Sequence, residues 1–211
     1  MNPGVYSFMI LTVIGILFLT GWGTRFVLGT RLRNLHWAGL LFGVAIAAFF
    51  DLRIAKFLIN SGTLIIFALM ALYVISFKRP GYMLQFLLAV VTSAACSFTM
   101  MLLVPHDPAF YLLESQYLYP AVAVLASYLI SREPLFCLNA SVTGILLAGI
   151  FHDNRLAVHD SVLRIGGPEL MDLTATVLMM SMAADGFVFL WGMVLARLSR
   201  RQPGKLEGDP T

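Results

Sequence analysis

The chain has 211 residues, of which 59% are hydrophobic and only 12% charged, and its mean hydropathy is +0.85. A water-soluble domain of this size leaves roughly 30% of its unfolded surface exposed. That is too much to hide so many apolar side chains, so a soluble globular domain is excluded and lipid is the solvent. The formal charge of +3 sits on residues at the ends of apolar runs; no basic stripe with interleaved aromatics is present, which argues against nucleic-acid binding.

Seven stretches approach the roughly 20 apolar residues that a spanning helix needs. In chain order they run from about Gly4 to Trp22, His36 to Phe50, Phe57 to Phe77, Met83 to Val104, Phe110 to Ile130, Leu135 to Phe151 and Leu173 to Leu195. The first lacks a basic start, and Thr20-Gly21-Trp22 does not resemble a small-residue cleavage site, so it is read as a retained helix. The second and sixth are short. The fifth carries Glu114 in its first turn and Pro120 further in, and its apolar part alone falls below spanning length. Continuous apolar runs argue against barrel strands, which alternate over about ten residues. The expected fold is therefore all-α: a polytopic transmembrane bundle of about seven spans over residues 1–198, with 199–211 a short basic disordered tail.

The connections carry their own signals. Asp51, Arg53 and Lys56 fill a tight turn, which makes the second and third helices antiparallel neighbours. Asn154 reads as an N-cap, and Arg155 to Ile165 as a short amphipathic surface helix with Asp160 and Arg164 paired at i,i+4. Gly166-Gly167-Pro168-Glu169 reads as a reversal into a helix, with Glu169 and Asp172 complementing the dipole of that helix. Gly39 and Gly43, and the series Ala140, Gly144 and Ala148, form small-residue stripes suited to close helix packing inside the bundle. Cys96 and Cys137 lie at different depths and are expected to be free thiols.

Three polar features stand out as candidate sites. His-Asp dipeptides recur at His106-Asp107, His152-Asp153 and His159-Asp160, and imidazole with carboxylate can hold a divalent ion. Service at turns and helix ends is the plainer reading, since no tight ligand spacing exists. Asp185 is the only formal charge deep within an expected span, about 12 residues into the last helix, with Ser181 one turn earlier as a hydrogen-bonding hydroxyl. A carboxylate there costs about 2.5–3.5 kcal/mol on the insertion scale and faces the bundle interior or a wet cavity. No Gly-rich phosphate loop or GxSxG elbow is present, and the last helix has no mid-membrane Lys for a retinal Schiff base.

The Met1-Asn2-Pro3-Gly4 start, the Thr20-Gly21-Trp22 end of the first helix, and Gly166-Gly167-Pro168-Glu169-Leu170-Met171-Asp172 leading into the last helix resemble the YphA-type family of small multi-pass membrane proteins from spore-forming Firmicutes. The resemblance implies a bacterial cytoplasmic membrane and a host that sporulates; it carries no reaction and no site residues. The expected function is that of a non-enzymatic membrane protein acting through the lipid bilayer or a membrane-protein partner, linked to sporulation or the envelope, with no cofactor. The alternatives are a small proton- or cation-coupled transporter using Asp185, and a metal-dependent membrane enzyme using His106, His152, His159 and Asp160.

Orientation follows from the Lys and Arg distribution. Ten basic residues (Arg25, Arg31, Arg33, Lys78, Arg79, Arg132, Arg197, Arg200, Arg201 and Lys205) fall on one side, against four (Arg53, Lys56, Arg155 and Arg164) on the other. The basic side is assigned to the cytoplasm, with the N-terminus out and the C-terminus in. Reporter fusions after Phe77 and at the C-terminus should therefore report cytoplasm, and one after Val104 the exterior; an external C-terminus would overturn the orientation.

Overall fold

The computed structural model describes residues 3–24, 32–106, 114–156 and 162–200. Within them the elements are α1 (Val5–Leu19), α2 (Asn34–Ala47), β1 (Asp51–Ile54), β2 (Phe57–Asn60), α3 (Ser61–Ile75), α4 (Pro80–Leu103) with a 3-10 turn at Val104–His106, α5 (Ser115–Ile130), α6 (Pro134–Leu156), β3 (Leu163–Ile165) and α7 (Pro168–Arg200). Prolines open α4, α6 and α7, where a fixed φ suits the first turn and the missing N–H would have no intrahelical partner. The helices α4, α6 and α7 are long and apolar enough to cross a membrane unaided; α1, α2 and α3 are apolar but shorter, at 15, 14 and 15 residues.

The packing is built on α4 against α6. A Cβ on Gly144 would drive into the side chain of Ser93 and meet the Ala94 nitrogen at 3.1 Å, so glycine permits this close approach. Ser93 Oγ then donates to the Ala123 carbonyl at 3.1 Å and draws α5 to the same point. Gly149 abuts Leu170 of α7 in the same way. The other stripe behaves differently. A Cβ on Gly39 or Gly43 would meet nothing within 4 Å, and both line an open groove between α2 and α3 with Leu35 and Ile65. The expected internal packing of that stripe is corrected: α2 buries Ala38, Leu41, Val44 and Ala45, a face one residue round from the glycines.

One end of the bundle carries Arg33, Lys78, Arg79 and Arg132, and is held by Tyr73, Phe77, Tyr82, Phe86 and Phe136, whose ring centroids lie 4.8 to 5.6 Å apart, largely edge to face. The other end carries a small sheet of order β1-β2-β3, with β1 and β2 an antiparallel hairpin and β3 parallel to β2. Ala55 makes the hairpin turn at φ 54°.

This sheet corrects two expectations. Phe57 to Asn60 is a strand, not the start of the third helix. The amphipathic helix expected over Arg155 to Ile165 is not formed as such: α6 runs on through Asn154 and Arg155 to Leu156, so Asn154 is no cap, and Leu163–Ile165 is a strand. The free edge of β2 takes up this segment instead; Leu163 N donates to the Lys56 carbonyl at 2.8 Å. Arg164 approaches Asp51 at 3.7 Å, while Asp160, its expected partner, lies outside the described residues.

Asn60 joins the sheet to the bundle. Its side-chain oxygen accepts from Gly62 N at 3.0 Å and Thr63 N at 3.3 Å, capping α3. Its amide donates to the Ala48 carbonyl at 2.8 Å, beyond the end of α2, and to Asp51 Oδ1 at 2.9 Å. The residue is 1% exposed. Behind it Gly166, at φ +78°, presses on Thr63 where no Cβ would fit. Asn60→Ala should therefore lower stability by about 2 kcal/mol or more, from the lost cap and the stranded carbonyl. Asn60→Asp keeps the acceptor but opposes Asp51, so its defect should ease as pH falls in detergent unfolding assays; equal stability of wild type and Asn60→Ala would refute this role.

Candidate functional site

At the sheet end, the 3-10 turn after α4, the start of α5, the end of α6 and the start of α7 line a polar cavity of about 620 Å³. Gln116, Tyr119, His152, Asp153, Glu169 and Asp172 line it over a floor of Met101, Leu170 and Leu173. The His152 Nδ1 to Asp153 Oδ1 distance is 3.8 Å, a contact between chain neighbours. Asp172 does not serve the dipole of its own helix alone: its two oxygens accept from Gly4 N at 3.0 Å and Ser7 N at 2.7 Å, so it caps α1. Ser7 Oγ completes that turn by donating to the Gly4 carbonyl at 2.9 Å.

Of the His-Asp residues, His106 ends the 3-10 turn beside the lining residue Pro105, and His152 sits on the last turns of α6. Asp107, His159 and Asp160 lie outside the described residues. Among the described residues no group of three His, Cys, Asp or Glu is placed to hold a metal ion.

Asp185 is 3% exposed and Ser181 fully buried. Ser181 Oγ lies 3.2 Å from Ser141 Oγ of α6, and Ser141 also lies 2.7 Å from the Cys137 carbonyl. With Ser141's single hydrogen on that carbonyl, Ser181 is the donor between the two hydroxyls. Tyr128 OH adds a 3.4 Å contact to the Ser181 carbonyl. This pairing fixes the depth of Asp185. It lies one turn past Ser181 toward the basic end, level with the first turns of α6 and about 25 Å from Pro168 at 1.5 Å per residue. Asp185 stays deep within α7, 17 residues after its start at Pro168 and 15 before its end at Arg200. From Gly186 to Arg197 every residue is exposed, so α7 leaves the bundle directly after Asp185. The sheet-end cavity stops at Leu173, about 18 Å short of Asp185 along the helix.

The third feature was not expected. A cavity of about 730 Å³ opens at the basic end between α1, α2, α3, α6 and α7. Its wall is apolar, with Trp37, Leu41, Ile66, Val142 and Met171 representative. Its few polar lining residues include Asn139 and Thr174 within, and Ser76 and Lys78 at the mouth. The amide of Asn139 in an otherwise apolar run was the available signal; the hollow itself depends on how far α3 stands from α6, which no local pattern encodes.

Comparison with known proteins adds one family. The model of the YphA-like integral membrane proteins matches residues 21–205. No curated protein matches the chain, and no solved structure does.

Proposed function

The chain belongs to the YphA-like integral membrane protein family, and from that premise we propose that it is a non-enzymatic component of the bacterial cytoplasmic membrane that works by holding a lipid-derived apolar ligand. The observation that carries this reading is the 730 Å³ basic-end cavity. Its volume falls within the roughly 300–1,000 Å³ of ligand pockets, and apolar walls with a few polar groups are what such pockets present. In this reading all seven helices cross the bilayer with the N-terminus outside. Support comes from the short α1 packing beside the long α7, and from outward residues such as Val13, Ile46 and Val91, which are exposed where lipid would lie.

Trp37 lines the cavity and reports on its contents. With Trp22 and Trp191 replaced by Phe, brominated phospholipid titrated into detergent-solubilised protein should quench Trp37 saturably, and unbrominated lipid should reverse it. Quenching that only tracks total bromine would overturn the reading.

A proton- or cation-coupled carrier is the second reading, favoured by the burial of Asp185 beside the Ser181–Ser141 hydroxyl pair. The packing reading makes Asp185 an interhelical hydrogen-bonding residue, worth about 0.6 and at most about 1.7 kcal/mol in membrane bundles. On it, Asp185→Asn assembles normally and complements a deletion strain, whereas Asp185→Leu weakens assembly. A stable Asp185→Asn protein that fails to complement would favour the carrier instead.

A further inference from the structure

The basic-end cavity differs from an ordinary packing defect in its depth, its polarity gradient and its charge. Along α3 it reaches from Ser76 back to Ile66, ten residues or about 15 Å. That is half of the roughly 30 Å hydrocarbon core, the depth of one leaflet. The deep wall offers few free donors. Thr174 Oγ1 donates to the Leu170 carbonyl at 2.7 Å, and Asn139 Nδ2 to the Leu135 carbonyl at 2.7 Å, each within its own helix. Ser76 Oγ at the mouth is likewise directed to the Tyr73 carbonyl at 2.6 Å.

Among the described residues the lining has one formal charge, Lys78 at the mouth. Among the described residues Lys78 forms no ion pair. Among the described residues the other charges at this end are Arg33 at the N-cap of α2, Arg79 at the N-cap of α4, Arg132, Glu133, and Arg197 and Arg200 in the last turns of α7. Glu133 is engaged elsewhere, accepting from Tyr82 OH at 2.5 Å. The rim is therefore net positive over an apolar well one leaflet deep.

We propose that the ligand is an anionic phospholipid of the basic-side leaflet, with its phosphate on Lys78 and an acyl chain in the well between α2, α3, α6 and α7. The proposal rests on the lipid-holding reading above and adds the headgroup class and the residue that selects it. A neutral apolar ligand would fill the well but make no use of the positive rim, and a free anion would leave the well empty. Basic pockets between helices at this level of a membrane recognise anionic headgroups.

The test uses the full-length protein with Trp37 as its only tryptophan. Brominated phosphatidylglycerol should saturate the quenching at a lower mole fraction than brominated phosphatidylcholine. Lys78→Gln should weaken the phosphatidylglycerol response roughly five-fold, as expected for the loss of one basic group near the headgroups, and Lys78→Arg should keep it. Lys78 sits at an exposed mouth rather than in the core, and phosphatidylcholine quenching of each variant reports whether the well remains intact. Saturable quenching that is equal for the two lipids, or unchanged in Lys78→Gln, overturns the headgroup assignment while leaving the lipid-holding reading in place. The absence of saturable quenching by either lipid overturns both.

Discussion

The constraint on which everything else depends is the lack of water in the bilayer core. Backbone N–H and C=O groups there must find partners within the chain, which is why the apolar runs become helices. Helix interiors meet this requirement by themselves. Helix ends do not, since the first N–H groups and last carbonyls have no intrahelical partner. Some polar side chains in this protein serve those ends directly. Asn60 serves the end of α2 and the start of α3 with one amide group. The small sheet extends the same service to the connections, pairing backbone that would otherwise be left bare beside the membrane.

Away from the ends, polar groups sit on their own helices or between two of them. Thr92, Thr143, Thr174 and Thr176 each return a hydrogen to the carbonyl four residues earlier. Ser93 and Ser181 instead reach a neighbouring helix, and these are points where a glycine or another hydroxyl allows close approach. The bundle is thus tight on the α4–α6 side and open between α2, α3 and α6. Both cavities border α7 between Leu170 and Leu178, the polar one at the sheet end and the apolar one at the basic end.

The membrane class and the long helices were legible because composition and run length are local quantities. Pro168 marked a helix start for the same reason, and Gly166 marked the reversal that its positive φ requires. The strands were not legible. Phe57-Leu58-Ile59 is as apolar as the helix that follows it, and the pairing of β2 with β3 joins residues over a hundred positions apart. The burial of Gly144 and the openness of Gly39 could not be told apart, because both are small residues on apolar helices and only the neighbouring helix decides. Asp185 stood out in the sequence as the one formal charge inside the last apolar run, and the structure buries it near the middle of α7.

The cap on α1 also fixes an order of events. Asp172 accepts from Gly4 and Ser7 across 168 and 165 positions of chain. During synthesis the first helix is made long before that carboxylate exists, so its opening N–H groups wait for their final partner until Asp172 has been added. Only when the last helix inserts does the first turn close. A ribosome that stalls before that point leaves a bundle whose leading end is still unsealed, and that loose end distinguishes an unfinished chain from a finished one.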